Sequence, residues 1–337
     1  MVVGLVDVVE KAGLLRDRFF GEITYCRNVF VPVTNVCRNS CGYCGFCGGE
    51  YYLMSPSEVY DVLVEGVRGG AVEALFTFGE RPEEAGCGFS RILGEYGYGS
   101  FTDYLVDLFE MALDLGLLPH TNPGLVSKSD FKLYSRYNAS MGLMLESTAT
   151  LPVHEGCPGK APEKRIELIE FAGQEKIPLT TGILVGVGET WLDRLKSLRK
   201  IKEIDDRYGH IQEVIIQGHN KHRLAETQHP SVDEEVVVKT IAIARHILKD
   251  IEIQAPPNLH PDIKPLLTAG ISDLGGISTT KDHINPSKEW PTPNQLKEKI
   301  DQHGYILKER LPIYPEYIEK GWVSKHVKKN LDKNNEI

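Results

Sequence analysis

Long apolar runs are missing from this chain of 337 residues, and with them any segment able to cross a bilayer as a helix. The opening stretch MVVGLVDVVEKAGLL looks briefly apolar. It lacks a basic start, however, and is interrupted by Asp7, Glu10 and Lys11. Its apolar positions fit one face of a short helix rather than a signal peptide. Positive charge is scarce too. The 38 Lys and Arg against 47 Asp and Glu leave a formal net charge of −9, which argues against a broad nucleic-acid surface, since phosphates need clustered basic groups. The one basic cluster, Lys325 to Lys333, sits in a polar C-terminal stretch that reads as a solvated, frayed end. Low-complexity tracts and linkers are also missing. What these absences predict is a cytoplasmic chain without membrane or nucleic-acid partners, and its 41% apolar content is enough for a sizeable core.

Cysteine is present in an odd number, seven, with nothing secretory ahead of it, which speaks against a disulfide framework. Three of the seven fall in one short loop, C-R-N-S-C-G-Y-C, placing Cys37, Cys41 and Cys44 just after the strand-like run Val29 to Val33. Three thiolates at this spacing cannot complete a four-coordinate structural zinc site. They can hold three corners of a [4Fe–4S] cube and leave one iron open for chemistry. Cys47 keeps zinc open as a reading by offering a fourth sulfur. Zinc sites more often pair two C-x2-C knuckles across a longer separation. A ferredoxin run would have a different spacing and four ligands to its cluster. Cys26, Cys87 and Cys157 are scattered, and lone cysteines are usually small buried hydrophobes.

Beyond the loop, β-branched runs alternate with amphipathic helical stretches. Ser55-Pro56-Ser57-Glu58 is a capping box opening a helix that runs to Gly69-Gly70, and Ser231-Val232-Asp233-Glu234 reads as another. Further helices are predicted near 102–116, 127–136, 161–175, 190–206 and 231–248. Strands are predicted at 29–33, 74–78, 117–121, 140–145, 179–185, 213–217, 251–255 and 271–277. Eight strands alternating with helices predict a closed α/β barrel of the (β/α)8 TIM type, with the cysteine loop after the first strand. We divide the chain into an N-terminal helical segment (1–20), the barrel (21–290) and a C-terminal helical extension with a polar tail (291–337). The unusual residues fall at the carboxyl ends of the strands, around one mouth, where such barrels build active sites.

With those residues in place, C-R-N-S-C-G-Y-C resembles the signature of radical S-adenosylmethionine (SAM) enzymes. The segments TFGERPE (77–83), PHTNPG (119–124), MGLMLES (141–147), TTGILVGVGET (180–190), APPNL (255–259) and ISDLGGIS (271–278) extend the likeness over nearly the whole chain. Together they resemble the ring-closing branch of the 7,8-didemethyl-8-hydroxy-5-deazariboflavin (FO) synthases of deazaflavin coenzyme biosynthesis. The resemblance implies that Cys37, Cys41 and Cys44 ligate a [4Fe–4S] cluster whose fourth iron takes the amino and carboxylate groups of SAM. It places Tyr43 near the adenine and Gly79 and Glu80 near the methionine amino group. It makes Glu146 and Arg165 a polar pair holding SAM, although Arg165 could equally be a surface helix residue. Gly182 to Glu189, including Gly186, matches the segment that packs on the adenine. His120, Asn122, Gln217, His219 and Asn258 are candidates for substrate contacts by position only, and no catalytic residue is assigned.

The implied reaction is ammonia-releasing ring closure of a 4-hydroxybenzyl–ribitylaminouracil adduct, a carbon–nitrogen lyase step. The implied partners are a small-molecule substrate, the tyrosine-using sister subunit and an external electron donor. Alternatives are that sister activity, a menaquinone-pathway enzyme of the same superfamily, or a zinc-stabilised module without catalysis. A sulfur-inserting enzyme would need a second cluster, for which Cys87 and Cys157 supply no evident ligand set. Cys47 and the stretch Gln217 to Asn220 depart from the family pattern. Anaerobically reconstituted protein is expected to hold about four irons, and Cys41→Ala should lose both the iron and 5′-deoxyadenosine formation. Iron analysis and chromatography of the nucleoside check both, and zinc without iron would favour the non-catalytic module.

Overall fold

The capping box at Ser55 forms as its sequence dictates. Glu58 N–H donates to Ser55 Oγ at 3.3 Å and Ser55 N–H donates to the Glu58 carboxylate at 2.6 Å, starting a helix with proline in its first turn. In the computed structural model, which describes residues 3–86, 88–222, 225, 230–260, 262–279 and 290–334, such local signals repeat around a ring. The strands are β1 Ile23–Thr34, β2 Glu73–Phe78, β3 Leu118–Asn122, β4 Ser140–Gly142, β5 Leu179–Val185, β6 Ile211–Gly218, β7 Glu252–Gln254, β8 Asp273–Ser278 and β9 Leu307–Glu309. The helices are α1 Val3–Phe19, α2 Pro56–Arg68, α3 Phe89–Glu95, α4 Phe101–Asp114, α5 Lys128–Tyr134, α6 Pro162–Gln174, α7 Trp191–Tyr208, α8 Glu234–Leu248, α9 Lys264–Thr268, α10 Pro293–Asp301, α11 Pro315–Glu319 and α12 Lys325–Asn334. Strands β1 to β8 pair in order, all parallel, and β8 pairs back to β1, so the (β/α)8 barrel is closed. Among the described residues no helix is long and apolar enough to cross a membrane.

Period-two alternation decides what the barrel encloses. Val29, Val31, Ala74, Phe76, Val214 and Ile216 are buried on the outer side of the strands. Their neighbours Asn28, Phe30, Glu73, Leu75, Ile215 and Gln217 face a central cavity of about 460 Å³. A typical barrel of this type fills that space with layers of branched side chains. Here glycines thin the layers. A Cβ on Gly142 would overlap the Asn122 amide, and one on Gly276 would overlap the Asn28 amide. Two bulges add to the effect. In β8 the register advances an extra residue at Gly275, whose φ of +74° suits glycine. In β6, Gln212 is the extra residue between Ile211 and Glu213, so both Gln212 and Glu213 reach the cavity.

Strand β9 was not anticipated. β8 takes one edge of β1 at Thr24–Asn28, so β9, paired with Ile23–Tyr25, takes the other edge, below β2. It carries Arg310 into the amino-terminal end of the barrel, where the guanidinium meets Asp273 at 2.5 and 2.8 Å and Glu213 at 2.9 Å. The carbonyl of Pro312 accepts from Ser140 Oγ at 2.5 Å and from Gln212 Nε2 at 3.1 Å. This segment forms the cavity floor.

Two expectations are corrected. The basic stretch after Lys325 is the helix α12, not a frayed end. Val327, Asn330 and Leu331 are buried, and the Asn330 amide donates to the carbonyls of Leu113 at 2.6 Å and Leu117 at 3.1 Å. The capping box at Ser231 does not form either. Helix α8 starts at Glu234 behind Asp233, and Ser231 Oγ instead accepts from the Lys221 N–H at 3.0 Å.

Burial pushes Glu73 up to about 7 from an ordinary 4.5, and Glu252 likewise. The folded state therefore holds protons that the unfolded chain releases, and stability falls as pH rises from about 4.5 to about 7, levelling off above. Each group should contribute roughly 1–3 kcal/mol to that decline. Glu73→Gln should remove its share, read as a smaller stability difference between about pH 5 and about pH 7.5 in urea titrations.

Candidate active site

The cysteine loop leaves β1 at the carboxyl end of the barrel and is pinned there by close backbone packing. A Cβ on Gly79, at the end of β2, would overlap the Val36 carbonyl and Cys37. Glycine at this position lets strand and loop meet. The N–H groups of Asn39 and Glu80 point at the Cys37 sulfur at 3.4 and 3.2 Å. Cys47 lies 4.0 Å, sulfur to sulfur, from Cys44. The Cys47 thiol, together with backbone N–H groups, draws Cys37 down to about 7 and Cys44 down to about 6, while burial pushes Cys41 up. Cys37, Cys41 and Cys44 line one wall of the cavity. Two cysteines drawn toward the thiolate and a third buried beside them, opening on enclosed space, fit an iron–sulfur cube with one iron left to a ligand. Cys47 lines the same wall. Cys26 and Cys157 are buried, as lone cysteines usually are, and Cys87 lies outside the described residues.

Glu80 is a tie between loops. Its carboxylate accepts from Arg38 at 2.8 Å and from the Leu125 N–H at 2.8 Å, and lies 3.5 Å from Arg165. One buried acid thus joins the loops after β1, β2 and β3 to the first turn of α6. Arg165 is 4% exposed, so it is not a surface helix residue. Its Nε donates to the Gly159 carbonyl at 2.7 Å, Nη1 donates to the Met144 carbonyl, and Nη1 sits 3.7 Å from Glu146.

Glu146 holds a left-handed φ of 64° at the end of the β4 strand path. Tyr43 Oη donates to it at 2.6 Å, Lys160 pairs with its other oxygen, and His154 Nε2 lies 3.2 Å away. Burial alone would raise Glu146, but Lys160, Arg165 and His154 hold it well below the usual carboxylate range. The Tyr43 ring meets His154 and His219 edge-on, at 5.6 and 6.3 Å between centroids. Tyr43, Glu146, Lys160 and Arg165 all face the cavity, giving a polar collar beside the cysteines.

Of the remaining candidates, His120, Asn122, Gln217 and Asn258 line the cavity, and His219 is buried behind Tyr43. Burial lowers His120 to about 3, so it stays neutral. Gly186 and Glu189 do not face the cavity. Glu189 accepts from the N–H groups of Gly186 and Val187, both at 2.8 Å, and pairs with Arg194 at 2.6 Å, which folds the loop onto itself. From the same segment it is Gly182, Ile183 and Leu184 that reach the cavity. The sequence reading missed Arg38, His154 and Lys160. The last two lie in the irregular stretch between β4 and α6, where no periodicity marks them.

Four similarities to known families and proteins accompany this geometry. The family pattern described as the Radical SAM superfamily matches residues 31–201. A 7,8-didemethyl-8-hydroxy-5-deazariboflavin synthase of Methanosarcina mazei is 50% identical over 317 residues, covering 90% of this chain and 92% of that protein. The synthase of Methanosarcina barkeri is 48% identical over 314 residues, covering 90% and 95%. Among solved structures, methylornithine synthase (PylB) superposes with a TM-score of 0.73 at 17% identity, covering 96% of this chain and 93% of that one, a likeness of fold.

Arg165→Lys keeps the charge but loses the fork that reaches two carbonyls and two carboxylates. It should lower stability by about 2–3 kcal/mol, whereas Glu163→Gln, exposed on the same helix, should leave it nearly unchanged. Urea unfolding of anaerobically prepared protein measures the contrast.

Proposed function

The chain belongs to the radical SAM superfamily and, within it, to the family of the 7,8-didemethyl-8-hydroxy-5-deazariboflavin synthases, and from that premise we propose that it catalyses the ring closure of deazaflavin synthesis. The substrate in this reading is 5-amino-5-(4-hydroxybenzyl)-6-(D-ribitylimino)-5,6-dihydrouracil. The carbon–nitrogen bond to the amino group breaks, ammonia leaves, and a bond forms between the aromatic ring and the ribityl-bearing nitrogen. Two hydrogens must also be removed. When bound, the [4Fe–4S] cluster and SAM would supply that oxidation: one hydrogen would leave as an atom to 5′-deoxyadenosine, with methionine as the other product of SAM, and the second as a proton whose electron returns to the cluster.

The observation that carries the reading is the single cavity running from the three cysteines to a polar floor. Its volume is within the range of small-molecule sites. Cys37, Cys41 and Cys44 would hold the cluster. Gly79, Tyr43 and the Glu146–Arg165 pair would position SAM beside it, with Lys160 fixing the Glu146 carboxylate. Glu80 and Glu189 would act through the loops they brace. His120, Asn122, Gln217 and Asn258 would face the substrate, with His219 supporting Tyr43. The closed wall keeps water and stray hydrogen donors from the reacting atoms, and holding reactants in place is worth roughly 7–11 kcal/mol of barrier. The tyrosine-using sister subunit would deliver the adduct, and an external donor the electron.

Reconstituted protein given SAM, a reductant and the synthetic adduct should release 5′-deoxyadenosine, ammonia and a fluorescent deazaflavin. Given tyrosine and the ribitylaminouracil in place of the adduct, it should release none of the deazaflavin. Consumption of tyrosine to form the adduct would assign the chain to the sister reaction instead.

A further inference from the structure

We propose that the barrel floor is a subsite for an uncharged, hydroxyl-rich ligand end, whose donors are taken by Asn28, Asn122, Gln212 and His120. This rests on the deazaflavin reading, in which that end is the ribityl chain and its uracil.

Asn28 Oδ1, Asn122 Oδ1 and Gln212 Oε1 are sealed from bulk water and have no protein partner, and all three residues line the cavity. Asn28 and Gln212 are 2% and 4% exposed. A buried acceptor left unpaired costs about 1–3 kcal/mol, so three in one cavity call for donors supplied from outside the chain. The Gln212 orientation is fixed, because its Nε2 donates to Thr180 Oγ1 at 3.3 Å and to the Pro312 carbonyl. Its oxygen is what remains. The same argument settles His120. Ser140 gives its only proton to the Pro312 carbonyl, so its oxygen accepts from His120 Nδ1–H at 2.7 Å, leaving Nε2 as an acceptor nitrogen.

Gln212 Oε1 and His120 Nε2 therefore accept, while the amides of Asn28 and Asn122 can both accept and donate. Hydroxyls, which do both, match the set; a carboxylate or phosphate brings no proton for Gln212 or His120. Charge points the same way. Arg310 is committed to Asp273 and Glu213 and offers no positive charge to an anion. The space itself is built in, since side chains at Gly142 and Gly276 would displace the Asn122 and Asn28 amides.

The test uses cluster-loaded protein with SAM and no reductant, so that no turnover occurs. Equilibrium dialysis compares 6-(D-ribitylamino)uracil, its 5′-phosphate and 6-(methylamino)uracil. The ribityl compound should bind at least about tenfold more tightly than either of the others, the scale expected of two or more hydrogen bonds. Asn28→Val and Gln212→Leu should each weaken it by about five- to twentyfold, with SAM affinity unchanged. Equal affinity for the methylamino compound, tight binding of the phosphate, or unaltered ribityl affinity in both variants would overturn the proposal. If a variant also loses SAM, the three-ligand comparison on the unaltered protein decides. Ribityl selectivity without deazaflavin formation from the adduct would keep the subsite and remove the ring-closing reading. Deazaflavin formation with insensitive variants would do the reverse.

Discussion

The Arg310 guanidinium, gripped by Asp273 of β8 and Glu213 of β6, is the contact on which this hollow barrel depends. A barrel that keeps its centre open forgoes the layers of branched side chains that usually join its strands from within. Here one cation from outside the eight-strand ring bridges two of its strands instead. Both carboxylates are buried, so the pair is held by geometry rather than by any surplus of attraction over desolvation. Removing the cation would strand two acids in a low-dielectric interior. Tyr314 adds a hydroxyl to Asp273 at 2.9 Å and Thr24 another, completing the carboxylate's bonds.

At the other end the constraint is different. Besides a small apolar cluster of Leu151, Val153 and Val187, buried charge binds the loops of the mouth together. Glu80 connects the loops after three strands, and Arg165 connects Glu80 to Glu146. Glu146 in turn fixes Tyr43 and Lys160 beside the cysteine wall. Because each group in this chain of contacts is shared by two loops, the collar behaves as one rigid frame. Rigidity there serves chemistry, since hydrogen abstraction tolerates little misplacement of the reacting atoms. Two characters therefore meet in one cavity: an ionic collar at the mouth, and at the floor uncharged amides and His120 beside an Arg310 guanidinium already taken up by Asp273 and Glu213.

Much of this was legible in the sequence where the signal is local. The cysteine spacing, the box at Ser55 and the run of β5 from Leu179 to Val185 each declare themselves within a few residues. Strand β4 ends early, at Gly142, because the chain beyond it bends toward the left-handed Glu146 and keeps only an isolated bridge to Ile183. Helix α12 was misread because only Val327, Asn330 and Leu331 turn inward among many charged neighbours. Strand β9 is three residues long, and only the distant edge of β1 makes it a strand. Lys160 and His154 could not be found from pattern at all: their meaning comes from Glu146, which tertiary packing alone brings near them.

The order in which the floor is assembled follows from where its parts lie along the chain. Arg310 comes 37 residues after Asp273, so at about 5–20 residues per second the ribosome exposes the acids on the order of seconds before their cation. During that interval the eight strands can pair, but the base of the ring stays open to solvent and its carboxylates stay hydrated. Sealing is thus a late event of biosynthesis, and a nascent chain halted before Arg310 presents a barrel that leaks at its base.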